Sequence, residues 1–208
     1  CEITEESEGL TRFQVFKDNQ ALGQFVTTLT GKYNILNATA VVAMSYLKEL
    51  PFEAVQKAIS TFTGVKRRQE ILGEPNGILI IEDFAHHPTA VRQTIEAIQN
   101  KYKGRKVFSV FEPRSATSRR KVFQKDYVDA FSIAHEVILA EAFNSQALAE
   151  DNRFSSAELI SDLKKQGRIA NVFTDSEQIV SYLKSQAKPK DMILIMSNGG
   201  FDGIYQKL

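Results

Sequence analysis

The stretch Gly77-Ile78-Leu79-Ile80-Ile81-Glu82-Asp83-Phe84-Ala85-His86-His87-Pro88-Thr89-Ala90 decides how this chain is read. Gly77 to Ile81 is a short apolar run of the kind that forms a buried strand, and Pro88-Thr89 opens a helical pattern. Glu82, Asp83, His86 and His87 therefore crowd the carboxyl end of a strand that turns into a helix. In open α/β sheets that crevice is where ligands bind. A solvated strand–helix turn is the plainer reading of the same residues.

Downstream, the same grammar repeats. Strand-like runs occupy 78–83, 106–111, 136–140, 169–173 and 192–196. Helical patterns fill 89–102, 118–132, 155–166, 175–186 and 200–208. This alternation predicts an α/β fold: a Rossmann-like, doubly wound, mostly parallel sheet with helices on both faces. The one long connection, 142–154, is expected to be a surface loop. Upstream, Thr11–Phe16 and Gln24–Leu29 flank the turn residues Lys17-Asp18-Asn19-Gln20, as in an antiparallel hairpin. Two helices are expected over 34–50 and from Pro51 to Phe62, followed by a linker over 63–76 that carries Arg67 and Arg68.

The 208 residues suffice for one good core, or for one domain and part of another. A net charge of +1, with dispersed Lys and Arg, gives no electrostatic case for nucleic acid or an anionic membrane. No apolar run approaches a membrane span and no signal-peptide pattern is present. Cys1 is the single cysteine, so an internal disulfide is impossible and a cytoplasmic, reducing location is expected. The chain opens without methionine, and a fragment of a longer protein is expected.

Three strand ends carry polar groups that should converge on one rim. They are Asp83 to His87; Glu112-Pro113-Arg114-Ser115; and Ser197-Asn198-Gly199-Gly200-Phe201-Asp202-Gly203. The glycine-rich loop sits between a strand and a helix, where backbone N–H groups can cradle an anion, although a tight turn explains it equally well. The Arg114 fork suits a carboxylate or phosphate, and the plainer reading is a surface ion pair. His86 and His87 are poor zinc ligands together, because adjacent residues rarely reach one ion and the only other histidine is His135. Asn34 and Asn37 either present amides to an adenine edge or belong to a capped first turn. The chain contains no G-x-x-x-x-G-K-[ST] loop, so it lacks that means of holding nucleotide phosphates.

Together, Gly31-Lys32-Tyr33-Asn34-Ile35-Leu36-Asn37-Ala38, Gly64-Val65-Lys66-Arg67-Arg68 and Glu82 to Thr89 resemble the Mur ligase family, the ATP-dependent amide-bond ligases of peptidoglycan synthesis. The motifs Glu112 to Ser115 and Ser197 to Leu208 resemble most the recycling branch. In that branch the murein tripeptide L-Ala-γ-D-Glu-meso-diaminopimelate is joined to UDP-N-acetylmuramate through an acyl phosphate. The alanine-adding branch and a non-catalytic nucleotide-binding module are the alternatives.

The resemblance implies that residues 1–70 end a central ATP-binding domain and hinge, and that 71–208 form the C-terminal ligase domain. It implies ATP and Mg²⁺ as cofactors, held mainly by parts of the protein outside this chain, which alone is expected to be inactive. By resemblance, Asn34, Asn37, Arg68, Asp83 and Phe84 would contact the nucleotide, and Arg68 and His86 would act in catalysis. His86, His87, Arg114, Ser115, Ser197, Asn198 and Gly199 would line the amine-substrate pocket. No metal ligand is expected within the chain. Tyr33 and Asp202 depart from the family pattern, which usually has histidine and glycine there.

Overall fold

Four of the strand-like runs, at 79–83, 107–111, 136–140 and 192–196, are buried because most of their side chains are apolar and both faces of the sheet are covered. The computed structural model describes residues 1–7, 9–144 and 149–208. The chain divides into two compact units, residues 1–65 with 96–103, and residues 66–95 with 104–208.

In the first unit, β1 (Glu2–Ser7), β2 (Leu10–Lys17) and β3 (Gln20–Thr27) form an antiparallel sheet in chain order. The expected hairpin is thus two strands of a three-stranded meander. Its first strand escapes the sequence pattern because every residue of β1 is exposed, so no apolar alternation marks it. Asp18 and Asn19 take left-handed φ values of 49° and 63°, as a two-residue hairpin turn requires. Helices α1 (Lys32–Leu47) and α2 (Phe52–Thr61) follow. Phe13, Val15 and Phe25 from the sheet pack with Ile35, Val42, Val55 and Ile59 from the helices.

In the second unit, β4 (Glu70–Gly73), β5 (Leu79–Asp83), β6 (Val107–Phe111), β7 (Glu136–Ala140), β8 (Ile169–Phe173) and β9 (Met192–Met196) form one sheet of order β4-β5-β9-β6-β7-β8. All pairings are parallel except that of β4 with β5. The expected α/β fold with a mostly parallel sheet is what the chain adopts. The linker expected over 63–76 instead contains β4, a short edge strand whose Ile71 and Leu72 stay exposed.

The helices are α3 (Pro88–Lys101), α4 (Gln124–Phe131), α5 (Ser156–Lys165), α6 (Ser176–Gln186) and the short α7 (Ile204–Lys207). Among the described residues, no helix is long and apolar enough to cross a membrane. On one sheet face Ile80, Phe108, Val110, Ile138, Ile193 and Ile195 pack with Ile179, Leu183, Phe201 and Ile204. Phe111, Tyr127, Phe131 and Phe154 form an aromatic cluster elsewhere in the unit, with ring centroids 5.3–6.3 Å apart. Each such fully buried side chain contributes roughly 1.5–3 kcal/mol. The surface loop expected over 142–154 lies partly outside the described residues; its described end holds a short 3-10 turn, Glu150–Asn152.

At the amino edge of the sheet the Tyr182 hydroxyl donates to Glu136 Oε1 (2.7 Å) and accepts from Asn171 Nδ2 (3.0 Å). Burial, reinforced by the Glu136 carboxylate, pushes the Tyr182 pKa from 10.0 up to about 12. A raised folded-state pKa stabilises fully below the unfolded value and is lost as pH rises through the folded one. Between about pH 10 and about pH 12 stability should therefore fall, and Tyr182→Phe should flatten that part of the curve. Melting temperatures taken through this window check it; parallel curves for the two proteins would refute the assignment.

Candidate active site at the carboxyl edge of the sheet

Strand β9 enters between β5 and β6, so the strand order turns back on itself there, which is the position ligands use in open α/β sheets. The register aligns Asp83 and Phe111 with the same residue, Met196. Ser197 N–H donates to Asp83 O (3.1 Å) and Glu112 N–H donates to Met196 O (3.1 Å). The three polar strand ends therefore meet in one row.

Asp83, 2 % exposed, anchors the first of them. Its Oδ1 accepts from Ala85 N–H (2.7 Å) and the Thr94 hydroxyl (3.4 Å), and its Oδ2 accepts from Gln69 N–H (3.0 Å). Burial raises its pKa above the usual carboxylate value, opposed by these donors and by the charge of Arg68. Phe84 lies beside both Arg67 and Arg68, with the Arg68 guanidinium 5.0 Å and that of Arg67 5.2 Å from its ring. His86 turns its Nδ1 to Phe84 O (2.9 Å), and its carbonyl accepts from the Tyr127 hydroxyl (2.5 Å). His87 is exposed and meets the Phe123 ring edge-on at 5.1 Å.

Sequence reasoning placed weight on Arg68, yet Arg67 is the residue that joins the loops. Its Nε donates to Glu82 Oε1 (2.5 Å), and its Nη2 donates to the carbonyls of Ser197 (3.0 Å) and Gly199 (2.6 Å). Its own N–H donates to Glu70 Oε2 and its carbonyl accepts from Phe84 N–H. This network holds Arg67 at φ 61°, a conformation that costs a non-glycine residue roughly 1–3 kcal/mol. The Tyr205 hydroxyl is buried beside Glu82 and Arg67 without a well-formed hydrogen bond.

Glu112 is the second hub that sequence reasoning left without a role. Its Oε2 accepts from Ser197 Oγ (2.6 Å) and its Oε1 from Arg114 Nη1 (3.3 Å). Ser197 was expected in the substrate pocket, but its side chain is fully buried and also accepts from Gly199 N–H (2.9 Å). These bonds brace the loop from inside. Ser115 likewise closes a local turn, bonding Ser118 through its Oγ at 2.9 Å. Asn198 keeps a buried Oδ1 without a partner. A Cβ at Gly199 would lie 2.1 Å from Arg114 Cδ, so any side chain there would displace the Arg114 arm. The Arg114 guanidinium then stacks 3.8 Å from the centre of the Phe143 ring.

A cleft of about 690 Å³ opens at this edge. Glu112 and Arg114 after β6, Glu141 after β7, Ser176 at the start of α6, and Phe201 and Asp202 after β9 line it.

A family model described as Mur ligase, glutamate ligase domain, matches residues 67–199, a span that carries the first two strand ends and the start of the third. The chain belongs to the Mur ligase family. A UDP-N-acetylmuramate–L-alanine ligase of Desulfitobacterium hafniense is 35% identical over 187 residues, covering 90% of this chain and 41% of that protein. A solved UDP-N-acetylmuramate–alanine ligase from Thermotoga maritima shares the fold, with a TM-score of 0.80 and 20% identity over 97% of this chain and 43% of that one. A murein peptide ligase structure from Psychrobacter arcticus has a TM-score of 0.69 and 28% identity, covering 100% of this chain and 42% of that one. The chain thus spans about two fifths of the length of the curated relatives it matches.

Of the remaining Mur ligase positions, Asn34 and Asn37 lie on α1 in the first unit. There they line an almost wholly apolar groove of about 460 Å³ with Leu29, Val41 and Phe62. Asn34 does not cap the helix, because Gly31 holds the cap position and the Asn34 amide donates to Thr30 O (2.7 Å). Its Oδ1 is left to accept. Among the described residues no three His, Cys, Asp or Glu side chains gather where a metal ion could be held. The Arg68 guanidinium lies 5.0 Å from the centre of the Phe84 ring, and its charge is felt by Asp83.

Proposed function

We propose that this chain is the acceptor-binding part of an ATP-dependent amide ligase of peptidoglycan recycling. The ligase joins L-Ala-γ-D-Glu-meso-diaminopimelate to the lactyl carboxylate of UDP-N-acetylmuramate. The γ-phosphoryl group of ATP passes to that carboxylate, giving an acyl phosphate and releasing ADP; Mg²⁺, held by parts of the protein outside this chain, would offset charge on the phosphates. The alanine amine of the tripeptide attacks the acyl carbon, phosphate leaves with the bonding pair, and the amine sheds its proton. In this reading Arg68, Asp83 and Phe84 face the nucleotide. Arg114 holds a peptide carboxylate, and His86 and His87 flank the incoming amine.

The observation that carries this reading is the cleft beside Arg114. Its volume of about 690 Å³ suits a ligand far larger than one alanine, within the roughly 300–1,000 Å³ range of such sites. One guanidinium and several carboxylates around it suit a peptide bearing both carboxylates and amines. The 28% identity to the murein peptide ligase of Psychrobacter arcticus over this whole chain supports it.

A second reading, with L-alanine as acceptor, is favoured by the curated relatives, which are named for that reaction at 28–35% identity. Competition separates the two. The protein at the full length of its relatives, given UDP-N-acetylmuramate and ATP, should use the tripeptide with a kcat/KM at least about 100-fold above that for L-alanine. Preference for L-alanine would establish the second reading. No ATP-dependent product with either acceptor would end both.

A further inference from the structure

The loop Ser197–Gly203 ends in three consecutive residues with left-handed backbone: Phe201 (φ 44°), Asp202 (φ 49°) and Gly203 (φ 67°). Glycine adopts this region freely, but a side chain makes it costly, so something must hold Phe201 and Asp202 there. Phe201 is held by burial, at 2 % exposure among Ile195, Ile204 and their neighbours. Burial cannot hold Asp202, which is exposed. Its restraint is polar: Oδ2 accepts from Ser176 Oγ (2.8 Å) and from Lys207 Nζ (3.1 Å).

Lys207 is the centre of that cluster. Its ammonium also reaches Ser176 Oγ (2.5 Å) and Glu177 Oε1 (2.6 Å), and its carbonyl accepts from Lys184 Nζ (3.0 Å). Ser176, 2 % exposed, lies in the first turn of α6, so the contacts tie the segment after β9 to that helix. A serine so close to a lysine resembles a nucleophile with its base. The charges exclude that, because Glu177 first and Asp202 second raise the lysine pKa and keep it an ammonium that donates to the serine. Ser176, Gly200, Phe201, Asp202 and Gly203 all line the 690 Å³ cleft.

We propose that Lys207 is a positioning residue whose clasp on Ser176 and Asp202 sets the Ser197–Gly203 wall of the cleft and so the fit of the amine acceptor. The role in acceptor binding rests on the function proposed above; the clasp itself does not.

Two measurements on Lys207→Met test it. In the chain 1–208, amide hydrogen exchange over residues 197–206 should quicken about fivefold while β5 and β6 keep their protection. In the full-length protein, the acceptor KM should rise about fivefold with the KM for ATP unchanged, and Lys207→Arg should restore most of it. Unchanged exchange would overturn the clasp. Quickened exchange with an unchanged acceptor KM would overturn its role in acceptor fit. If the unsubstituted protein joins neither acceptor, the proposed function falls and the exchange result still decides the clasp.

Discussion

Arg67→Met is expected to lower the unfolding free energy by about 2–3 kcal/mol. The substitution leaves Glu82, only 7 % exposed, as a buried carboxylate without its cation, and it removes the donor shared by the Ser197 and Gly199 carbonyls. Breaking a fully buried pair costs roughly 3–5 kcal/mol, and the smaller figure allows for water reaching an arginine whose side chain is 33% exposed. Lysine should recover little, because a single ammonium cannot span three acceptors as the guanidinium fork does. Adding Glu82→Gln should return much of the loss, since the deficit is an uncompensated charge. Urea denaturation of the single and double variants measures the coupling. A wild-type midpoint for Arg67→Met would show that the three strand ends hold together without it.

Arg114→Ala should raise the KM for the amine acceptor roughly 30-fold, as expected for a lost charge-assisted hydrogen bond pair, and leave the KM for ATP unchanged. The prediction follows from where the arm is held. Gly199 gives it room, Phe143 supports one face of the guanidinium, and Glu112 takes one of its N–H groups at 3.3 Å. The rest of the fork remains for a ligand carboxylate. Gly199→Ala should reproduce part of the effect from the other direction, because the new Cβ occupies the place of Arg114 Cδ. Steady-state kinetics with the acceptor varied at saturating ATP decide it. An unchanged acceptor KM in Arg114→Ala would remove Arg114 from the acceptor site.

Most of the fold was legible in local pattern. Apolar runs such as Met192–Met196 and Val107–Phe111 are buried at every position, so composition alone marks them as central strands. The strands whose limits local pattern did not mark are those that burial does not mark. They are β1, exposed throughout, and β4, four residues at a sheet edge. The candidate site was legible as a set of polar strand ends but not as a set of roles. Ser197 and Arg114 look equally polar in sequence; one is sealed inside the loop and the other lines the cleft. Arg67 and Arg68 are adjacent and chemically identical, and only the left-handed backbone at Arg67 turns its fork toward Glu82, Ser197 and Gly199.

By itself the sequence determined the alternation of strands and helices, the polar character of three strand ends and membership of the Mur ligase family. Those are properties of residues near one another along the chain, where side-chain period and turn chemistry act. Only the tertiary structure decided that β9 lies between β5 and β6, and with it that Arg67 meets Gly199 and Glu112 meets Ser197. Those partners stand 132 and 85 residues apart. No local periodicity encodes such a meeting: it follows from the order in which the buried strands pair, which the packing of the whole sheet selects.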